Sequence, residues 1–193
     1  AAAALEAGAD IINDISAMTF DPEMASVVSG ARAAVILMHM RGTPQTMQNP
    51  ENLLYPDVCA EVADCLNHAF ERAVAALAAA KRTALEAGVA EENLIFDPGI
   101  GFAKTPEQNL ALVRGAAELR KKVSAPLYYA PSRKSFLARV CAGKPASERD
   151  YATAGVLASL AAQGVEFVRV HNVPMALESM TAFRLCRPDP VAG

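Results

Sequence analysis

The sequence predicts a parallel α/β fold built from repeated strand and helix units. Three observations carry this reading. Five short apolar runs recur between turn residues: Ile11-Ile12, Val35-Ile36-Leu37-Met38, Leu94-Ile95-Phe96, Leu127-Tyr128-Tyr129 and Phe167-Val168-Arg169-Val170. Each has the length and continuity of a strand covered on both faces. Helical patterns over 56–87, 106–122, 148–163 and 174–186 alternate with them, as parallel βα units require. Three of the strands end abruptly in polar or charged residues, at Asp97, at Ser132-Arg133-Lys134-Ser135 and at Arg169-Val170-His171-Asn172.

The joints between elements support the order. The chain opens on an alanine-rich helical segment, closed by Gly8 before the first strand. Asp21-Pro22-Glu23 offers an N-cap followed by proline at the first helical position. The long helix over 56–87 is closed by Gly88, which leads into the third strand. Thr105-Pro106-Glu107 opens the next helix in the same way as Asp21-Pro22-Glu23. Ser132 can cap a helix beginning near Phe136 or bind a ligand, and Gly164 closes the helix before the fifth strand. Five βα units do not close an eight-stranded barrel, which takes about 250 residues. The sheet is therefore open or strands are missing, and the helical, uncapped N-terminus without methionine reads as a truncation point.

With 193 residues and 52% hydrophobic content, the chain is expected to form one domain over 1–193 rather than a disordered segment. A net charge of −3 excludes a broad electrostatic footprint for nucleic acid or an anionic membrane. No apolar run reaches the roughly 18 residues of a membrane span, and no signal peptide opens the chain, so a cytoplasmic protein is expected. Cys59, Cys65, Cys141 and Cys186 form no CxxC pair and read as buried or half-buried thiols in a reducing compartment.

In parallel α/β folds the loops at the carboxyl ends of the strands build the site. Asn13 and Asp14 follow the first strand; Asn13 reads the donor and acceptor edges of a ligand or shapes a turn. His39 and Arg41 follow the second strand and are expected at the site rim, with Met38 and Met40 packing near a ring; no metal-ligand spacing accompanies His39. Asp97 precedes Pro98-Gly99-Ile100-Gly101-Phe102, a carboxylate beside glycines that let a ligand approach the backbone. Such a carboxylate can accept paired N–H bonds from a flat heterocycle with an amidine-like edge; its bland reading is a turn-shaping Asp. Arg133 and Lys134 sit where a helix dipole disfavours cations, which calls for an anionic or electron-rich partner. Arg169 and His171 alternate along a strand and so share a face, suiting a phosphate or pyrophosphate. His68, inside the long helix, reads as exposed or locally bonded.

Taken in order, five segments resemble the dihydropteroate synthase family of pterin-binding TIM barrels. They are Gly8-Ala9-Asp10-Ile11-Ile12-Asn13-Asp14-Ile15-Ser16, Leu37-Met38-His39-Met40-Arg41-Gly42-Thr43-Pro44, Asp97 to Phe102, Ser132 to Ser135, and Arg169-Val170-His171. The resemblance implies an α/β TIM (β/α)8 barrel, here truncated to about its last five βα units. It implies a transferase of folate biosynthesis that condenses 4-aminobenzoate with a dihydropterin methyl pyrophosphate and releases pyrophosphate. By the same resemblance Asn13 and Asp97 hold the pterin, Met38 lines its slot, and Lys134 contacts its oxygen or ring nitrogen. Arg169 and His171 bind the departing pyrophosphate, Ser132 lies near the aminobenzoate, Phe102 walls the pocket, and Arg133 belongs to the substrate-binding run. Lys134, Arg169 and His171 would be the catalytic groups.

The family also implies Mg2+, whose asparagine ligand lies in a motif upstream of Ala1, and a homodimer through helices near 148–163 and 174–186. Ala103 stands where glycine is usual, and Ala130-Pro131 where the family has glycine and a nonproline residue. A pterin-binding methyltransferase shares the ring-holding Asn and Asp but has no need of the Ser-Arg-Lys-Ser run. A noncatalytic barrel fragment is the reading from another class.

Overall fold

The computed structural model describes residues 1–83 and 91–187. Five parallel strands order as they occur in the chain: β1 (Ile11–Asp14), β2 (Ala34–Met38), β3 (Leu94–Asp97), β4 (Tyr128–Tyr129) and β5 (Phe167–Val168). β1, β2 and β3 form one ladder and β4 with β5 a second. A parallel bridge between Phe96 and Leu127 joins them, with the Phe96 N–H donating to Pro126 O at 2.9 Å. Every strand therefore points the same way, and the carboxyl ends converge on one rim.

Register decides which side chains meet. Asn13 pairs with Ile36, Ile36 with Ile95, and Met38 with Asp97, so these residues share one face of the sheet. The other face carries Ile12, Val35, Leu37, Leu94, Phe96, Leu127 and Tyr129, all in the apolar core under the helices. The fully buried Tyr129 spends its hydroxyl on Leu112 O at 2.9 Å, which satisfies the polar end of a core side chain.

The helices are α1 (Ala2–Glu6), α2 (Met24–Ala31), α3 (Val58–Thr83), α4 (Pro106–Arg114), α5 (Ala116–Lys122), α6 (Asp150–Ala162) and α7 (Val173–Cys186). α3 lays a stripe of Val62, Leu66, Ala69 and Ala73 on the core at helical spacing. Its first turn is held by Asp57 Oδ1, which accepts from the N–H groups of Cys59 and Ala60 at 2.9 and 3.1 Å. α4 opens on a complete capping box between Thr105 and Gln108 with Pro106 at the first position. α7 is capped by Asn172, whose Oδ1 accepts from Met175 N–H at 3.1 Å.

Several expectations shift. The fifth strand ends at Val168, so Arg169 to His171 lie in the loop beyond it, although Arg169 N–H still reaches Tyr129 O at 2.9 Å. The helix expected over 106–122 is two, parted at Gly115. Asp21 does not cap α2: its Oδ1 accepts from Glu23 N–H in a turn, and the helix begins at Met24. Gly8 and Gly164 close their helices at φ +94 and +79, a conformation in which a side chain is strained. Gly88, and the end of the helix expected to reach 87, lie outside the described residues. Cys59 and Cys65 are half-buried and Cys141 is buried, whereas Cys186 is exposed. Among the described residues no helix is long and apolar enough to cross a membrane.

Candidate active site

The carboxyl rim of the sheet surrounds a cavity of about 480 Å³ lined in part by Asn13, Met38, Asp97, Phe102, Ser132, Lys134, Arg169 and His171. Eight of the nine residues singled out in the sequence as substrate-binding thus come together. The reason is topological: residues far apart in the chain end neighbouring parallel strands.

Asp97 is the centre of this constellation. It is 3% exposed, its Oδ1 accepts from Gly99 N–H at 2.8 Å, and its carbonyl accepts from His39 N–H at 2.9 Å. Burial raises its pKa from 3.8 to about 6, against the pull of the Gly99 N–H and the cations Lys134, Lys104 and Arg169. Lys134 answers it from the end of β4. Its ammonium donates to Ile100 O and lies 4.7 Å from the centroid of the Phe102 ring. Burial lowers the pKa of Lys134, and Asp97 opposes that shift.

The glycine turn that carries Phe102 is tied from below. Asn109, buried in α4, accepts from Gly101 N–H at 2.7 Å and donates to Thr105 O at 2.8 Å. Gly101 needs its φ of +84 and its missing side chain, because a Cβ would stand 2.9 Å from Lys134 Cδ.

On the far side, Ser132 is buried at the end of β4 and joins it to the loop after β5. Its hydroxyl oxygen accepts from His171 N–H at 3.2 Å and pairs with His171 Nδ1 at 3.0 Å. It caps no helix: the 3-10 turn Ser135–Arg139 starts after Lys134 and has no side-chain cap. Ser132 thus serves here as the anchor of His171.

Arg133 departs from expectation. Its φ is +60 and its guanidinium makes a bidentate pair with Asp150 at 2.7 and 2.8 Å, in a position that does not line the cavity. Asp150 also accepts from Asn172 Nδ2 at 2.9 Å, so this carboxylate at the start of α6 fastens both the loop after β4 and the start of α7. The Asp150 carboxyl is held down to about 2 by its bonds to Arg133 and Asn172. Arg133→Met is accordingly expected to lower the melting temperature while leaving the glycine turn at the cavity unchanged; a thermal melt beside the amide spectra of Gly99 and Gly101 checks both.

Other residues resolve to structural roles. Asp14 accepts from Ser16 N–H and Oγ at 2.9 and 2.6 Å and from Met18 N–H at 2.6 Å, shaping a turn beside Asn13. His39 is not at the rim; it is buried under the glycine turn, and burial with Lys104 and Arg41 nearby drops its pKa to about 3. Arg41 stacks 3.8 Å over the Tyr55 ring and pairs with Glu61, and Met40 does not line the cavity. His68 is exposed and bonded within α3 to Asp64 O at 2.7 Å. Sequence reasoning missed Ile15, Ala130 and Val170, which complete the lining, and the tethers Lys104 and Asn109. A lysine directly after an apolar glycine turn was the available signal for Lys104.

The residues present do not fit a magnesium seat. Among the described residues no group of three or more His, Cys, Asp or Glu side chains could hold a metal, and Asp97 faces cations.

Comparison with known proteins places this geometry. Residues 1–171 match the family described as pterin binding enzyme. A dihydropteroate synthase of Synechocystis is 42% identical over 170 residues, covering 88% of this chain and 54% of that protein. The chain thus spans about half the length of that relative. The Thermus thermophilus dihydropteroate synthase solved with 4-aminobenzoate superposes with a TM-score of 0.82 at 28% identity, over 95% of this chain and 68% of that one. The Anaplasma phagocytophilum enzyme, solved with 6-hydroxymethylpterin-monophosphate, gives 0.81 at 29%, over 96% and 67%. The family match over residues 1–171 and the superposition on solved dihydropteroate synthases agree: the chain belongs to the pterin binding enzyme family.

Proposed function

We propose that this cavity binds a dihydropterin methyl pyrophosphate and serves a dihydropteroate synthase, which transfers the pterin methylene to 4-aminobenzoate in folate biosynthesis. The observation that carries the reading is a buried carboxylate, Asp97, sharing one cavity with the cations Lys134 and Arg169 and with His171. The carboxylate suits the amidine-like edge of the pterin, with Asn13 beside it, and the cations suit an electron-rich ring and a leaving anion.

The reaction breaks the bond between the pterin methylene and the pyrophosphate oxygen and forms one from that methylene to the aminobenzoate nitrogen, which loses a proton. Positive charge grows on the pterin and negative charge on the departing pyrophosphate. Arg169, His171 and Lys134 are fixed donors toward that anion, and stabilising developing charge is the largest lever such a site has. No nucleophilic side chain is needed. A pterin-binding methyltransferase is disfavoured because its chemistry releases no anion for these cations to meet.

Two extensions go with this reading. The five described strands are taken as part of an eight-stranded barrel, a reading supported by the superposition on dihydropteroate synthases. A homodimer through α6 and α7 is supported by the exposed Tyr151, Leu177 and Leu185 on those helices.

Calorimetric titration with the dihydropterin pyrophosphate tests the reading. Saturable binding is expected, and its affinity falls as pH drops below about 6, where Asp97 takes up a proton and loses its acceptor charge. A folded chain that shows no saturable binding at neutral pH would overturn the proposal.

A further inference from the structure

Lys104 lies outside the lining of the cavity, yet it is 3% exposed, and a lysine is almost never so buried without partners. An ammonium has three N–H donors, and this one meets three acceptors. They are His39 Nδ1 at 3.0 Å, Gly99 O at 3.2 Å and Phe102 O at 3.0 Å. His39 follows β2, whereas Gly99 and Phe102 belong to the turn after β3, so one side chain fastens two strand-end loops. Asp97 hangs on the same frame through its bonds with His39 N–H and Gly99 N–H.

We propose that Lys104 is a positioning residue: it locks the turn 99–102 onto His39, and in doing so sets Asp97 and Phe102 for the pterin and supports the carboxylate charge. This rests on the reading of the cavity as a dihydropterin site. Burial lowers the pKa of Lys104 to about 7. Asp97 from β3 and Cys65 from α3 oppose the shift, while Lys134 beyond β4 and Arg41 beyond β2 add to it. The Tyr55 ring faces the ammonium at 5.9 Å. The Asp97 carboxylate favours the charged form of Lys104, and the lysine favours the charged form of Asp97, so the two groups depend on each other.

The test uses Lys104→Met, which keeps the stem and removes donors and charge, and Lys104→Gln, which keeps two donors without charge. Carboxyl carbon NMR gives the Asp97 titration, and amide exchange is followed at Gly101 and Phe102. In Lys104→Met the Asp97 midpoint is expected to rise by about half a pH unit or more. Exchange at Gly101 and Phe102 is expected to quicken, and dihydropterin affinity to fall by about tenfold or more. Lys104→Gln is expected to show the titration shift with slower exchange than Lys104→Met.

A folded Lys104→Met with wild-type titration and exchange, or with wild-type dihydropterin affinity, overturns the proposal. Failure of both variants to fold overturns it too, since the lysine would then hold the core rather than the site. If the wild type itself binds no dihydropterin, the function proposed above falls, and the titration and exchange data still decide whether Lys104 sets Asp97 and the turn.

Discussion

Asp97→Asn is expected to weaken dihydropterin binding by about 100-fold or more and, at about pH 7.5, to melt later than the wild type. The loss of affinity follows from charge-assisted acceptance. Two bonds to an ionised acceptor contribute roughly 1.5–3 kcal/mol each, so removing the charge and presenting an amide N–H to ligand donors weakens binding by about 100-fold or more. The gain in stability follows from linkage. Burial raises the folded-state pKa of this acid from 3.8 to about 6, so the native state holds the proton more tightly than the unfolded chain. Stability therefore falls as pH rises from about 4 to 6, and the cost is fully present at neutral pH.

Roughly two pH units correspond to about 3 kcal/mol. Part of this is offset because Lys104 loses the carboxylate that supports its charge. The net gain is expected to be on the order of 1–2 kcal/mol near neutrality and to vanish by about pH 4, where the wild-type carboxyl is neutral as well. Asn can still accept from Gly99 N–H, so the turn is preserved. Melts at both pH values beside a titration decide the matter; a variant that melts earlier at neutral pH and still binds would refute the assignment.

Gly99→Ala is expected to cost the most stability of any single methyl addition proposed. Gly99 has φ +73, and a Cβ there would stand 2.0 Å from His39 O and 3.1 Å from His39 C. Both obstacles are backbone, pinned where His39 N–H meets Asp97 O beside the last pair of the β2 and β3 ladder. The left-handed conformation costs an L-residue about 1–2 kcal/mol, and overpacking adds about 1–3 kcal/mol. A loss of roughly 2–5 kcal/mol lowers the melting temperature by about 4–20 °C in a chain of this size. Gly155→Ala in α6 is the control: beyond its chain neighbours and its own helix backbone no atom lies within 4 Å of its Cβ position, and replacing a helical glycine stabilises by up to about 1 kcal/mol. Equal melting of the two variants would show that the 97–102 turn is not as tightly packed as described.

The arrangement of the site was legible in the chain because of strand polarity. Once apolar runs and helical patterns alternate, the strands are parallel, and residues at their carboxyl ends must converge. Asn13, Met38, Asp97, Phe102, Ser132, Lys134, Arg169 and His171 were found on that ground and by resemblance. What could not be read were choices between equivalent polar partners. Arg133 and Lys134 are adjacent and both cationic, yet Asp150, distant in sequence, takes the first, while the second enters the cavity. Ser132 had two roles open to it: it caps no helix, and it lines the cavity with its hydroxyl paired to His171 from the next loop.

By itself, then, the sequence determined the order of strands and helices, their caps at Thr105 and Gly164, and the set of polar residues delivered to one rim. These follow from interactions local to a few residues: periodicity, backbone preference and the need to bury apolar runs. Only the tertiary structure decided which of those polar residues face the cavity and which brace it, and that Lys104 and Asn109 hold the glycine turn from below. The physical reason is that a buried donor or acceptor must find a partner, and the partner is supplied by whichever distant segment the packing brings within hydrogen-bond reach.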